Sequence, residues 1–339
     1  MDNLFHVQVA WNGICGSDLH GYLMEIPGYP TATKGHTITG ETAPVTLGHE
    51  FSGTVSALGP GVDQNKFAVG QRVCVEPLIS CQKHTCGPCA AGSRNVCPVV
   101  GFIGISGRGG GLSEYITVDQ DLVHLLPDNV SLEVGACIEP LAVAWHAVKQ
   151  SGYVKGNTAL IVGSGPIGLF LLKVLRSIDP ASAIIVSEPT SLRRERAQTH
   201  GATLVVNPLE VDLHAAVLGA TNNKGVDVAY DAAGIKASLE AAMLCVRPRG
   251  LIMNVAIWET NPNINMNLMV MKEIRITGAL CYDRIHPELI EAMAAGKIPD
   301  VEDLITRKIP IEEVVQNGFE KLLHEKDKQI KILVTPGAA

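Results

Sequence analysis

The sequence has no concentrated run of basic charge: 27 Lys and Arg stand among 34 Asp and Glu, a formal net charge of −7. Nucleic acid and anionic membrane surfaces are therefore not expected partners, since both require a clustered positive field. Long hydrophobic runs are also missing. The longest, Leu169 to Leu175, contains Lys173 and falls well short of the roughly 20 apolar residues that cross a bilayer. The opening Met1-Asp2-Asn3-Leu4-Phe5-His6 has neither the basic nor the apolar region of a secretory leader. These absences predict a soluble, cytoplasmic protein. No internal repeat and no low-complexity linker interrupts the chain, which excludes a solenoid.

An even cysteine count is missing as well. Of nine cysteines, Cys81, Cys86, Cys89 and Cys97 lie close together, with Cys15, Cys74, Cys137, Cys245 and Cys281 elsewhere. In a reducing compartment such a cluster points to metal rather than to disulfides. The apolar surroundings of Cys74, Cys137, Cys245 and Cys281 predict plain core thiols. What the chain does have is length and apolar content: 339 residues, 46% hydrophobic, enough for two well-buried domains.

Up to about residue 130 the sequence reads as short strands between glycine and proline turns. Val7 to Trp11, Phe51 to Leu58, Arg72 to Glu76 and Leu112 to Val118 fit this pattern. Gly107 to Gly111 precedes a strand rather than a helix, so it predicts a mobile turn and not a phosphate cradle. From about Glu139 helices and strands alternate. Pro140 to Ser151, Ile167 to Ile178 and Ser191 to His200 read as helices. Ala159 to Val162, Ala183 to Ser187, Leu204 to Asn207, Val226 to Asp231, Leu251 to Val255 and Ile274 to Ala279 read as six apolar strands. This alternation predicts an α/β parallel sheet covered on both faces. After Leu280 helix and strand pieces return, ending in Lys331 to Val334.

The most informative stretch is Leu160-Ile161-Val162-Gly163-Ser164-Gly165-Pro166-Ile167-Gly168, a strand, a glycine turn and a helix start. Gly163, Gly165 and Gly168 give the tight turn, the close approach of a pyrophosphate and the helix-on-strand packing of a dinucleotide site. Pro166 and Ile167 open a helix whose N-terminus favours the phosphates. Glu188, at the end of the next strand, suits the adenosine ribose hydroxyls and repels a 2′-phosphate, so it favours NAD over NADP. Arg193 is grouped with these cofactor residues, although the helix carrying Arg193 and Arg194 is expected to turn them toward solvent.

Two constellations suggest metal. Cys81-x4-Cys86-x2-Cys89-x7-Cys97 can close a tetrahedral zinc site with no open position. Cys15, in Cys15-Gly16-Ser17-Asp18-Leu19-His20, His49 in Gly48-His49-Glu50, and Glu139 ahead of Pro140 are each weak alone. Together a thiolate, an imidazole and a carboxylate match a catalytic zinc with one open position.

These motifs run in the order and spacing of a known family. The chain resembles the zinc-containing medium-chain alcohol and polyol dehydrogenases. The resemblance is carried by Gly13 to His20, Gly48 to Gly53, the four-cysteine lobe, Glu139-Pro140-Leu141 and the glycine turn. Gly101 to Ile105, Gly109 to Tyr115 and Val186 to Pro189 sharpen it toward the 2,3-butanediol dehydrogenases. It implies a GroES-like β-barrel catalytic domain (1–139, with a return at 281–339) and a Rossmann NAD-binding domain (140–280), a doubly wound parallel sheet.

By the same resemblance Cys15, His49 and Glu139 match catalytic zinc positions, and Glu50 is either a ligand or stands directly behind the ligands. Ser17 and His20 match a proton relay, and the four cysteines a structural zinc. The implied reaction is reversible, NAD-dependent oxidation of a vicinal diol or secondary alcohol to a ketone, (R,R)-2,3-butanediol to acetoin. Sorbitol, xylitol or L-threonine oxidation is the alternative within the family, and an inactive NAD-binding relative the alternative outside catalysis. Ile274 to Ala279 would end the nucleotide sheet with an edge that pairs with a second subunit, giving a homodimer or homotetramer.

Two departures stand out. The first cysteine pair is spaced x4, where the family has x2. The chain before Val7 is also shorter by about a β-hairpin, which predicts an uncovered edge strand and core in the catalytic domain.

Overall fold

The computed structural model describes residues 3–23, 29–325 and 327–337. Met1 and Asp2, part of the segment considered above for a leader, lie outside them. The chain divides into two compact units, Met1–Glu139 with Asp283–Ala339, and Pro140–Tyr282.

The first unit opens with β1 (Leu4–Gly13), β2 (Glu50–Leu58), β3 (Arg72–Val75), β4 (Leu78–Ile79), β5 (Gly101–Phe102), β6 (Tyr115–Asp119) and β7 (Val123–Leu125). The second holds β8 (Ala159–Val162), β9 (Ile184–Ser187), β10 (Leu204–Val206), β11 (Val226–Asp231), β12 (Val246–Asn254) and β13 (Arg275–Gly278). The first unit ends with β14 (Ile305–Pro310) and β15 (Lys331–Thr335).

In the first unit the sheet runs β14-β15-β1-β2-β3-β7, with β6 pairing on β1. Strand β1 shows the two-residue period directly: Phe5, Val7 and Val9 are buried, while His6 and Gln8 are exposed. Its inward residues join Phe51, Val55, Val73 and Val118 in one core. The predicted uncovered edge is not found at this strand. β2 pairs along one side of β1, and β6 and β15 pair along the other.

The glycine-rich turn also differs from expectation. Gly107, Gly110 and Gly111 are buried, and a methyl on Gly110 would lie 2.3 Å from the Leu47 carbonyl oxygen. These glycines serve close backbone packing rather than mobility. The strand that follows is shorter than predicted, starting at Tyr115 rather than Leu112.

The second unit is a six-stranded sheet ordered β10-β9-β8-β11-β12-β13, every pairing parallel. Counted within the unit this is 3-2-1-4-5-6, the doubly wound order of dinucleotide-binding folds. All four residues of β8 and of β9 are buried, as strands with helices on both faces require. Strand β12 begins at Val246, five residues before the predicted Leu251, because Val246 pairs with Val226. Cys74, Cys137 and Cys245 are core thiols, whereas Cys281 is only half-buried, at a positive φ of 49°. No helix among the described residues is long and apolar enough to cross a membrane.

Candidate active site and metal centres

The glycine turn leaves the end of β8, where the strand order reverses toward β11, the crevice in which doubly wound sheets bind ligands. Gly163 has a φ of 90°, which a side chain rarely adopts. A methyl on Gly168 would lie 2.0 Å from the Gly163 carbonyl oxygen, so the helix Pro166–Ile178 can reach the strand only through glycine. A methyl on Gly165 would meet nothing nearer than an Arg193 nitrogen at 3.7 Å. That open backbone at the helix N-terminus is the cradle a pyrophosphate needs, so the turn fits NAD.

Glu188 is buried. It accepts from the backbone N–H of Ser164 at 2.7 Å and of Thr190 at 2.9 Å, and so ties the end of β9 to the glycine turn. Arg193 and Arg194 are half-buried rather than turned to solvent. The Arg194 guanidinium folds back onto the Glu188 and Pro189 carbonyls, and Arg193 approaches Gly165.

The four cysteines converge in one loop of the first unit. The sulfur separations are 3.7 Å for Cys81–Cys89, 3.6 Å for Cys81–Cys97 and 4.0 Å for Cys86–Cys97. A tetrahedron of zinc–sulfur bonds near 2.3 Å has an edge of about 3.8 Å, whereas a disulfide is about 2.05 Å. The donor set therefore fits a closed zinc site and not a bridge. The x4 spacing is absorbed locally: Gln82, directly after Cys81, takes a φ of 50° and turns the chain. Burial raises the Cys97 thiol, but N–H donors from Cys81 and Val99, with neighbouring thiols, lower it to about 7.

Cys15 lies where β1 leads into the helix Gly16–Leu23, and His49 and Glu50 lie where β2 begins. Ligand atoms of Cys15, His49 and Glu50 all fall within 4.8 Å of one another. Ser17 Oγ is 3.2 Å from His49 Nε2. The other ring nitrogen, Nδ1, is 3.4 Å from Asp18 Oδ1, and Asp18 Oδ2 accepts the Cys15 backbone N–H at 2.9 Å. Burial disfavours a charged His49, yet the Asp18 carboxylate and the Cys15 thiol hold its pKa well above the ordinary value. The surroundings therefore favour positive charge at this point, and a carboxylate on the far ring nitrogen is the usual support for a metal-ligating histidine. A metal cation fits this donor set.

Glu50 is fully buried, and both of its oxygens are taken by Lys331 Nζ, at 2.9 and 2.6 Å. Lys331 also donates to the Ile14 carbonyl at 3.1 Å. Glu139 is buried in the first turn of the helix Ile138–Ser151 and is not within the 4.8 Å group around Cys15. His20 sits half-buried in the last turn of the helix Gly16–Leu23.

Comparison with known proteins identifies the family. Residues 2–128 match the alcohol dehydrogenase GroES-like domain, and residues 166–295 match the zinc-binding dehydrogenase domain. An (R,R)-butanediol dehydrogenase of Neisseria gonorrhoeae is 40% identical over 97% of this chain and 92% of its own. The chain belongs to the zinc-binding alcohol dehydrogenase family. The crystal structure of 2R,3R-butanediol dehydrogenase from Bacillus subtilis superposes with a TM-score of 0.91 at 38% identity, covering 99% of this chain and 93% of that one. A sorbitol dehydrogenase of Bacillus subtilis is 36% identical over 97% of this chain and 89% of its own. The fold is thus the expected one: a GroES-like unit and a doubly wound parallel sheet.

Three residues of this dehydrogenase site were not singled out from sequence. Asp18 was readable only as part of the Cys15–His20 motif, and three-residue spacing from Cys15 is the signal that could have marked it. Lys331 lies 281 residues from Glu50 and carries no local signal. Tyr29 is pushed up to about 12, mainly by burial, while Cys15 and Asp18 add to the rise and His49 opposes it.

Proposed function

We propose that this dehydrogenase oxidises a vicinal diol reversibly to the hydroxyketone with NAD, and that (R,R)-2,3-butanediol, giving acetoin, is its substrate. The observation that carries the proposal is the convergence of Cys15 and His49 beside Ser17 in a chain that shares 40% of its residues with an (R,R)-butanediol dehydrogenase. Cys15 and His49 are assigned as catalytic zinc ligands. Both Glu50 oxygens are engaged by Lys331, so the third ligand is assigned to Glu139, with Glu50 acting from behind. The four-cysteine lobe is assigned a second, structural zinc. Gly163, Gly165, Pro166, Ile167 and Gly168, with Glu188 and Arg193, are assigned to NAD.

When bound, zinc polarises the alcohol oxygen and NAD accepts the hydride. The remaining work belongs to the chain. Ser17, whose Oγ lies 3.2 Å from His49 Nε2 and so stands beside the ligand set, takes the departing alcohol proton. His20, three residues on and so on the same helix face, hands it to solvent. Asp18 keeps the His49 ring in register. Strand β13 ends its sheet, with Ile257, Val270 and Met271 largely exposed nearby in sequence. A second copy of the chain pairing there gives a homodimer or a dimer-based tetramer, to be measured by light scattering. The thiol cluster Cys81, Cys86, Cys89 and Cys97, spaced for a metal and not for a disulfide, suits the reducing cytoplasm.

The test is NADH absorbance with a panel of (R,R)-, (S,S)- and meso-2,3-butanediol, sorbitol, xylitol and L-threonine. Fastest turnover with (R,R)-butanediol is expected. A larger kcat/KM for sorbitol or threonine overturns the substrate assignment, and silence across the panel favours the inactive relative.

A further inference from the structure

A second buried group of ligand-type side chains lies in the first unit, and the chemistry above does not use it. Glu76 directly follows β3, His124 lies in β7, and His286 opens the helix His286–Ala294. Glu76 Oε2 is 3.3 Å from His124 Nε2 and 3.4 Å from His286 Nδ1, and the ligand atoms of all three lie within 4.8 Å of one another. We propose that Glu76, His124 and His286 form a further binding site for a divalent transition-metal ion of the zinc class.

The distances suit the ion. Nitrogen and oxygen ligands at about 2.05 Å from a tetrahedral centre stand about 3.3 Å apart, the separation found on both sides of Glu76 Oε2. The other oxygen, Oε1, accepts from Arg94 at 2.7 Å. It therefore stays out of the site and holds the carboxylate in place. Arg94 is in turn neutralised by Asp283, which accepts from its Nε at 2.6 Å and from its backbone N–H at 2.8 Å.

Charge favours the ion too. Two carboxylates, Glu76 and Asp283, share one guanidinium, Arg94, which leaves one negative charge over in a buried setting, with Lys66 only at the wall of the adjoining pocket. Glu76 is 2% exposed and His286 is 0% exposed. Cys74, buried on β3, has its thiol held neutral by burial and does not change this balance. A lone proton or a dication can balance the charge.

Access is present. His124 is half-buried and lines an open pocket of about 220 Å³ with Lys66, Phe67, Pro287 and Ile290, so the group is approached from the His124 side. The two imidazoles lie nearly parallel, at 13° with centroids 5.1 Å apart. Both nitrogens can reach one ion only if one ring turns. His286 is enclosed and acts as the fixed ligand, while His124, at the pocket, is the ring that turns. Arg94 lies between Cys89 and Cys97 in sequence, so metal here braces the support of the four-cysteine lobe.

The experiment uses the purified protein with its native metal, dialysed against zinc or cobalt(II) and freed of loosely held ion. Metal content should rise by one equivalent per chain, with a cobalt spectrum of nitrogen and oxygen ligation and no added thiolate charge-transfer band. In His124→Gln the extra equivalent should bind at least a hundredfold more weakly, and native metal content should be unchanged. Uptake should weaken on acidification, as protons compete for the imidazoles. The thermal midpoint of the parent protein should rise with added metal, and that of His124→Gln should not. No added equivalent, an added ion with thiolate bands, or one that survives His124→Gln undiminished overturns the proposal.

Discussion

Lys331 Nζ lies 2.6 Å from one oxygen of Glu50 and 2.9 Å from the other, with both side chains sealed from solvent. Burial alone would discharge this lysine, but the Glu50 carboxylate, with Cys15 adding, holds the ammonium well above its ordinary range. The pair joins the first unit's last strand to β2, next to the Cys15 and His49 ligand atoms. Removing one partner strands the other charge in the interior, at a cost of about 3–5 kcal/mol. Lys331→Met is therefore expected to lower unfolding stability by that amount in urea titration. The double variant Lys331→Met/Glu50→Gln should recover a good part of it, since no charge is left unpaired. A loss in the double variant equal to the sum of the Lys331→Met and Glu50→Gln losses would mean that the pair carries no coupling.

Asp18 stands one step behind His49, a proposed zinc ligand. Its two oxygens fix the Cys15 backbone and face the His49 ring together, so one substitution disturbs both donors. Asp18→Asn should weaken zinc binding about 10- to 100-fold in competition with a chromophoric chelator, and leave the four-cysteine zinc in place. Loss of both zincs together would point to general unfolding instead.

The sequence exposed what repeats locally. The apolar runs β8 and β9 and the glycine turn carry their meaning within a few residues, and the six strands of the second unit are visible for that reason. Cys81 shows the limit. Its x4 spacing departs from the usual pattern, and only the left-handed turn at Gln82 shows how the sulfur arrives. The partners of Glu50 and His49 were harder still. Lys331 is set by sheet pairing of β15 on β1, a long-range relation that spacing does not encode. The misread turn at Gly107 to Gly111 has the same cause. Its glycines answer to the carbonyls of Thr46 and Leu47 and to Asn12, which lie far off in sequence.

Glu188 does two jobs, and they separate experimentally. Its carboxylate fixes the Ser164 N–H of the glycine turn and is proposed to receive the adenosine ribose hydroxyls. Glu188→Ala should raise the KM for NAD about 10- to 100-fold, the scale of one or two charge-assisted hydrogen bonds, with little change in kcat. Gly168→Ala should be worse for NAD, because its methyl collides with the Gly163 carbonyl and shifts the helix from the strand. An unchanged KM in Glu188→Ala would remove the carboxylate from cofactor recognition.

Asp227 gives the second unit a measurable acid dependence. It accepts from Thr158 at N and Oγ1, 2.8 and 2.9 Å, and from Arg247 Nε at 2.7 Å. Burial raises its carboxyl, but these donors outweigh burial and hold it below the usual carboxylate value. A depressed folded-state pKa contributes stability that is fully present above the unfolded value, about 3.9, and is lost as pH falls through the folded value. Urea unfolding between pH 6 and pH 3 should therefore show a steeper loss in the parent protein than in Asp227→Asn. The variant should already be weaker at pH 6 by about 1.5–3 kcal/mol, the scale of a hydrogen bond to a charged partner. Parallel curves for the two proteins would place the acid sensitivity in other carboxylates.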